Sequence, residues 1–558
     1  MFLPLGHENY SQLFNLNSVL GFIIVGAINA CLMVFISYKF FQTMQQCGYK
    51  GKEYLKFIAR KDNVYLTRLC MLSILSILGF ILTNMALLFL DHPIVKFSGF
   101  IVYFLFLLIY FRGERKRKDK LPLVMTKRMI RLVITFSILT VIFSFALSIL
   151  VNLIAIPFRD NLLANFRYAV LCLCPIVVPY LILIAYYVNE PLERHIINKI
   201  VKKCTKTLEE YPSLIKIGIT GSFGKTSVKE ILKTLLQEKY KVLSTPQSYN
   251  TPLGIAKTAK RLDGSYDVFI AEMGARRVGD IKELTEIVKP NVGVITGITL
   301  QHLESFNLFE NIKKTKYEII ENMKDGKAVF SADNTFAVEM SKKCTLPYHL
   351  AGLNKKLKPY VYASDIKMSA EGSAFTLNVG KETIQVKTEL LGKHNITNVC
   401  LAVAVADYLG LTISEIAMGI SNLKSVKHRL ELIKTDNGII TIDDSYNANP
   451  EGVKKAVETL SYFEGKKYVV TPGIVELGFA ESEKNFEFGV IMSKVCDGVI
   501  LIGRARTLKI REGLLSEGFS PEKIIMVNSL EDAKKYISSN LTSGDVVLFE
   551  NDLPDKYY

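Results

Sequence analysis

Ile215-Lys216-Ile217-Gly218-Ile219-Thr220-Gly221-Ser222-Phe223-Gly224-Lys225-Thr226 reads as an apolar strand running into a glycine loop. The residues that follow carry apolar side chains at Val228, Ile231, Leu232, Leu235 and Leu236, the spacing of one helix face. Strand, glycine loop and helix in this order form a phosphate cradle. Gly221, Ser222 and Gly224 let backbone N–H groups turn toward a polyphosphate at the positive end of the helix, Lys225 adds a compact charge, and Thr226 supplies a hydroxyl for magnesium. Ile219 stands where the longer phosphate-loop pattern has a glycine, so the motif is the shorter GxxGKT. A bare GKT is weak evidence, and the flanking strand and helix are what raise nucleotide binding above a structural turn.

Working outward, short β-rich runs alternate with amphipathic segments: Leu214–Ile219, Tyr266–Met273, Val292–Gly297, Gly438–Asp443, Val469–Thr471, Gly498–Ile502 and Val546–Phe549. That alternation predicts α/β domains with largely parallel sheets. A break near Lys424–His428 separates a central block, residues 213–427, from a final one, residues 428–558. No internal repeat or low-complexity stretch interrupts them. The nine cysteines form no CxxC pair and read as reduced thiols, not as a disulfide frame or zinc site.

Before Asn189 the chain has a different character. Val19–Tyr38, Leu69–Leu90, Ile94–Phe111, Leu132–Ala155 and Tyr168–Val188 are each about as long as a bilayer-spanning helix and carry almost no charge, which predicts five spans within residues 1–200. The first does not read as a removable signal peptide, since no Lys or Arg precedes it. The loops after spans one and three are rich in Lys and Arg, whereas the first eighteen residues have none, so the amino terminus is expected outside and everything after Asn189 in the cytoplasm. The net charge of +16 is concentrated in those loops. The run Arg112–Lys120 lacks interleaved aromatics, so an orientation signal touching anionic lipid is preferred over a nucleic-acid site. Asn29, Asn84, Pro175 and Pro179 inside the spans are compatible with a groove, and equally with a kink or helix contact.

Further motifs follow the phosphate loop: Thr245–Gly254, Ala271-Glu272-Met273-Gly274, Gln301-His302-Leu303-Glu304, Lys316-Tyr317-Glu318-Ile319, Ser331-Ala332-Asp333-Asn334, Gly392-Lys393-His394-Asn395 and Ile442-Asp443-Asp444-Ser445-Tyr446-Asn447-Ala448-Asn449-Pro450. Together, over about Ile215 to Glu550, they resemble the Mur ligases, which activate a carboxylate as an acyl phosphate and join it to an amine; the last motif resembles the branch that adds D-alanyl-D-alanine to a muramoyl tripeptide. The resemblance implies a P-loop-type central ATPase domain and a Rossmann-like final domain behind the α-helical membrane domain. It implies ATP and two magnesium ions, with Thr226, Glu272, His302 and Lys316 as metal ligands, Lys316 being carbamylated. Lys225, Lys316 and His302 would be catalytic, and Asn334, His394, Asn395, Arg429 and Asp443 would surround the nucleotide. Singly, each has a plainer reading: Glu272 as a strand-end charge, His302 as a surface histidine, Asn334 or Arg429 as a turn cap or surface partner.

The sequence also departs from that branch. Nothing before Ile215 resembles the small domain that holds a nucleotide sugar, Leu548-Phe549-Glu550-Asn551 replaces an expected lysine-glycine-serine ending, and Asn485 stands where the branch tends to have a histidine. The expected partners are therefore ATP, a carboxylate donor that is a precursor peptide or a lipid-linked precursor, an amino acid or dipeptide amine, and membrane lipid, in a bacterial cell membrane. Ligation for another polymer, such as polyglutamate or a capsular peptide, and an ATP-binding membrane sensor or scaffold are the competing readings.

Overall fold

The computed structural model describes residues 16–551 except 60–63, 87–92, 116–121, 156–168, 247–248, 301–302, 307, 370, 436 and 446–448. The chain divides into two compact units, Met1–Ile196 with Leu553–Tyr558, and Ile197–Asp552.

The first unit is helical. Helices Leu16–Ile36, Val64–Ala86, Pro93–Arg115, Lys127–Ala155 and Cys174–Glu209 fall at the five expected apolar stretches. Among the described residues three helices are long and apolar enough to cross a membrane, or four if Ile23–Ile36 and Tyr38–Gln46, bent by 44°, form one broken span. At the expected third span the helix runs Pro93–Arg115, of which Ile101–Gly113 counts as a shorter apolar helix over its described residues. The last expected span, Tyr168–Val188, is also revised: its helix runs on to Glu209, through Pro179 and Pro191. Two short helices in the first basic loop, Tyr38–Gln46 and Gly51–Ile58, were not foreseen. Apolar side chains lie on both sides of these helices, in a core that includes Phe40, Leu69, Phe80 and Phe136 and on the outer surface. Ser73, Ser76, Thr140, Ser144 and Ser148 are buried while Ile74, Leu78, Leu82, Ile134, Ile138 and Ile142 face outward. The Asn29 amide donates to Ser144 Oγ at 3.0 Å.

The second unit opens with the last turns of Cys174–Glu209, where Cys204 and Leu208 join the core and Glu209 pairs with Lys289 at 2.5 Å. Its nine-stranded sheet comprises β1 (Ile215–Thr220), β2 (Val242–Ser244), β3 (Val268–Glu272), β4 (Val292–Ile295), β5 (Lys327–Ser331), β6 (Tyr348–Gly352), β7 (Val361–Ser369), β8 (Gly372–Val379) and β9 (Glu382–Thr388). Their spatial order is β2-β3-β1-β4-β5-β6-β7-β8-β9. The strands up to β7 pair in parallel. Continuous apolar runs such as Val268–Glu272 are buried throughout, as a sheet covered on both faces requires. β7–β9 pair antiparallel. Their alternating burial leaves one face wet, and this hairpin extension is not visible as a parallel-sheet pattern in the sequence. His349 on β6 stacks between Tyr360 and Tyr408, at 3.8 and 4.1 Å, tying the extension to helix Lys393–Tyr408.

The second sheet comprises β10 (Glu431–Lys434), β11 (Ile440–Asp444), β12 (Lys467–Thr471), β13 (Gly498–Ile502), β14 (Ile524–Val527) and β15 (Val546–Glu550), in the order β10-β11-β15-β12-β13-β14. Only β10 is antiparallel. The carboxyl ends of β11, β15 and β12 therefore lie side by side, and Asp444 is registered against Glu550.

Candidate active site

β1 delivers Gly221, Ser222 and Gly224 to the start of helix Lys225–Leu236, whose residues Val228, Ile231, Leu232, Leu235 and Leu236 are buried as their spacing predicts. Gly221 cannot be replaced without displacement, because a Cβ there would lie 2.1 Å from Thr296 Oγ1. Gly224 sits at φ +76°, in the left-handed region that glycine enters freely. The loop is braced from behind: Ser222 N donates to Gly297 O at 2.7 Å, Ser222 Oγ to Thr299 O at 3.1 Å, and Thr296 Oγ1 to Phe223 O.

Lys225 Nζ donates to Gly221 O at 2.8 Å and to Ser222 O at 3.3 Å, curling over the loop. Burial pushes it down to about 8; Glu272 opposes that shift and Arg429 adds to it. Thr226 Oγ1 donates to Glu272 Oε2 at 2.9 Å, and Asn250 Nδ2 to Glu272 Oε1 at 3.2 Å. Lys229, wholly buried one turn along the helix, lies 3.4 Å from Glu272 Oε2 and 3.3 Å from Glu230. The sequence reading missed Lys229, although its position three residues after Thr226 puts it on the same helix face.

Lys316 lies on helix Phe309–Glu321 and is 3% exposed. Burial holds its amine well below the usual lysine range, Lys225 adds to that shift, and Asp280 and Glu318 oppose it. Two residues on, Glu318 accepts from Gly279 N at 2.8 Å and Lys282 N at 2.9 Å, fastening this helix to the start of helix Asp280–Val288. His302, the remaining expected metal ligand, lies outside the described residues.

The residues expected around the nucleotide separate into two groups. Asn334 uses its whole amide on backbone: Nδ2 donates to Ile298 O at 2.9 Å, and Oδ1 accepts from Ile298 N at 3.1 Å and Ala337 N at 3.0 Å. Asn395 likewise donates to Leu391 O at 2.8 Å and accepts from Asn398 at 3.2 Å. Both amides hold the walls. His394 keeps Nδ1 without a hydrogen-bond partner among the described residues. Burial pushes its ring down to about 3, with Lys455 and Arg429 contributing, so it is neutral.

In the final sheet, Asp443 Oδ2 meets His428 Nδ1 at 2.6 Å and Asp443 Oδ1 accepts from Ser445 N at 3.0 Å. His428 and Leu430 both have positive φ, which turns the chain sharply on either side of Arg429. Beside them Asp444 is pushed up to about 6 by burial and by Asp443, against the pull of Arg429. Glu550 is raised further by burial and by Asp444. The Asp444–Glu550 pair was not anticipated, since the paired register of β11 and β15 is a tertiary fact. The two sheets meet across the site: Lys455, on helix Pro450–Leu460, lies 5.1 Å over the Phe223 ring, and Arg276 is 3.9 Å from Glu476.

Residues 219–406 match the Mur ligase middle domain, and residues 428–550 match the Mur ligase glutamate ligase domain. The UDP-N-acetylmuramoyl-tripeptide–D-alanyl-D-alanine ligase of Bacillus subtilis is 31% identical over 338 residues, which are 60% of this chain and 72% of that protein. A crystal structure of MurF from Acinetobacter baumannii superposes with a TM-score of 0.59 at 25% identity, covering 64% of this chain and 77% of that one. MurF ligase from Thermotoga maritima in complex with ADP gives 0.57 at 28% identity, covering 64% and 80%. The phosphate cradle and the sheet order thus have their counterpart in a family of ATP-dependent ligases, and this chain belongs to it: it is a Mur ligase.

Proposed function

We propose that the chain joins an amino acid or D-alanyl-D-alanine to the carboxylate of a cell-wall precursor peptide at a bacterial membrane, passing through an acyl phosphate. Lys316 carries this reading. Burial of this lysine, 3% exposed, with Lys225 adding to the effect, disfavours its cation, and a free amine is the form that takes up carbon dioxide to become a carbamate. As a carbamate it offers oxygen to a hard cation, as do Thr226 and Glu272, whose side chains meet at 2.9 Å. These donors fit magnesium, with His302 completing the expected set. Magnesium, when bound, neutralises charge on the transferring phosphate.

The chain's own residues do the rest. Gly221 and Gly224 open the loop to a polyphosphate, and Lys225 swings from its carbonyl contacts to the transferring phosphate, which raises its proton affinity. The neutral His394, with its unpartnered Nδ1, and Arg429 and Asp443 from the final sheet face the nucleotide. Closing the two sheets over it keeps water from the acyl phosphate. Transfer of the terminal phosphate to the carboxylate releases ADP, and amine attack on the acyl phosphate then expels phosphate and a proton to leave the amide.

The outward-facing apolar side chains of the helical unit support the membrane setting. Isoleucines and leucines outside suit a hydrocarbon solvent, and the buried serines suit helices that associate there through small and polar residues. With the basic loops inside, the catalytic unit faces the cytoplasm.

The test is phosphate release by the full-length, detergent-purified protein with ATP and magnesium. D-alanyl-D-alanine, D-alanine and glutamate are each offered with UDP-linked and lipid-linked muramoyl peptides. Turnover that requires a D-alanyl amine and prefers the lipid-linked carboxylate is expected. A requirement for glutamate alone would move the chain to polymer ligation, and nucleotide binding without turnover on any pair would make it a sensor.

A further inference from the structure

We propose that Lys127, Arg128 and Arg131, at the start of helix Lys127–Ala155, bind the diphosphate head of a membrane lipid, with Glu193 and Tyr49 fixing the two guanidinium groups. The proposal rests on the ligase reading above, in which that lipid carries the carboxylate donor.

The charge at this helix end runs against the helix's own dipole. The amino end of an α-helix carries about half a positive charge and favours acidic side chains. This one has no acidic residue in its first turn and sets Lys127 and Arg128 there, with Arg131 one turn on. Among the described residues the carboxylate in ion-pair reach of the arginines is Glu193, buried on helix Cys174–Glu209, 2.5 Å from Arg131 Nε and 3.7 Å from Arg128 Nε. Three cations against one carboxylate leave two positive charges, to which the helix end adds. A diphosphate diester, with an ionised oxygen on each phosphorus, matches that balance. The single ionised oxygen of a phosphodiester headgroup does not. Guanidinium forks also suit phosphate oxygens geometrically.

The surrounding residues hold these cations in place. Thr126 caps the helix, its Oγ1 accepting from Met129 N at 3.1 Å. Gln45, on the short helix Tyr38–Gln46, clamps the chain just before it: Nε2 donates to Val124 O at 2.8 Å and Oε1 accepts from Val124 N at 2.9 Å. Tyr49, at φ +54°, accepts from Gln45 Nε2 at 3.1 Å, lies 3.2 Å from Thr126 Oγ1, and places its ring 4.3 Å from the Arg128 guanidinium. Arg128 and Arg131 still keep 29% and 30% of their side chains exposed, and Lys127 is exposed, so the cluster is open to a headgroup. Along the same helix Ile130, Ile134 and Ile138 follow Lys127 at helical spacing and face outward. Cations at the end of an apolar face have the pattern that an anionic head on a hydrocarbon tail requires. The basic loops put this end at the cytoplasmic surface, the side on which basic pockets between spans take lipid phosphates.

The experiment measures binding of a fluorescent polyprenyl diphosphate to the full-length protein in nanodiscs, with phosphatidylglycerol and inorganic pyrophosphate as competitors, and KM for a lipid-linked donor by phosphate release. The double variant Lys127→Gln/Arg128→Gln keeps the Arg131–Glu193 pair, so the buried carboxylate stays satisfied. It is expected to weaken diphosphate binding roughly thirtyfold and to raise KM for the lipid-linked donor in step, with KM for ATP unaltered. Arg131→Lys keeps the charge and loses the fork, and should weaken binding about threefold. Unchanged binding in the double variant would overturn the proposal. Displacement of the probe by an equal concentration of phosphatidylglycerol would overturn it too, marking general contact with anionic lipid, as would displacement by pyrophosphate, marking a site for soluble anions. A matching loss in the ATP parameters or in thermal stability would overturn it as a structural effect. Binding that the variants weaken, in a protein that turns over no lipid-linked carboxylate, would uphold the site and sink the ligase reading of what its lipid carries.

Discussion

Glu272 and Glu550 occupy equivalent places in the two sheets, each ending a buried parallel strand and each 1% exposed, yet their surroundings are opposite. Glu272 is met by Thr226, Asn250 and Lys229, three donors that stabilise a carboxylate. Glu550 faces another carboxyl, Asp444, and its Oε2 has no hydrogen-bond partner among the described residues, so burial drives it toward the protonated form. The same residue at the same strand end is thus held among donors in one sheet and set against a second carboxyl in the other. Neighbours, not residue type or burial, decide which.

Breaking the Glu272 side should have the largest effect. Glu272→Ala removes a charge aimed at the phosphate site and takes a carboxylate from the buried Lys229; we expect kcat/KM to fall on the order of 100-fold or more and unfolding free energy to fall by about 3 kcal/mol. Phosphate-release kinetics and urea melts read the two separately. Lys316→Ala should cost on the order of 100-fold in kcat with little loss of nucleotide affinity. It should also abolish a carbamate resonance after incubation with labelled bicarbonate; persistence of that signal would place the carbamate elsewhere.

The Glu550 side predicts a pH dependence. Asp444 and Glu550 have folded-state values above the ordinary carboxylate range, so their contribution to stability is fully present below about pH 4 and is lost as pH rises through about 6, where Asp444 ionises. Glu550→Gln should stabilise the protein at pH 8 by about 1–2 kcal/mol and make little difference at pH 4.5. Equal shifts at both pH values would contradict the shared-proton picture. The smallest effect is expected where the two sheets touch through solvent: Arg276→Ala breaks a contact of 3.9 Å with 48% of the arginine side chain exposed, and should change stability by less than about 1 kcal/mol.

Much of this comparison was legible in the chain itself. The phosphate loop, the helix face from Val228 to Leu236 and the strand ending in Glu272 are local patterns, written in consecutive residues because strand, turn and helix each obey a short-range rule. The antiparallel extension β7–β9 was not, since its alternation says that one face is wet but not which sheet it joins. Asn334 and Asn395 show what motif reading leaves out at single residues. The motifs single out the two residues, while the backbone and Asn398 contacts of their amides are tertiary facts.

What the sequence determined by itself is the inventory: apolar helices first, a glycine loop with Lys225 and Thr226, carboxylates and amines at strand and helix ends, and basic loops between the apolar stretches. All of these depend on the order of neighbouring residues. What only the tertiary structure decided is which groups share a desolvated space: Lys229 with Glu272, Lys316 within the influence of Lys225, Asp444 against Glu550, and Asn485 and Asn551 on one loop. Those pairings join residues distant in sequence, and burial, which turns an ordinary lysine or glutamate into a reactive one, is a property of the packed molecule.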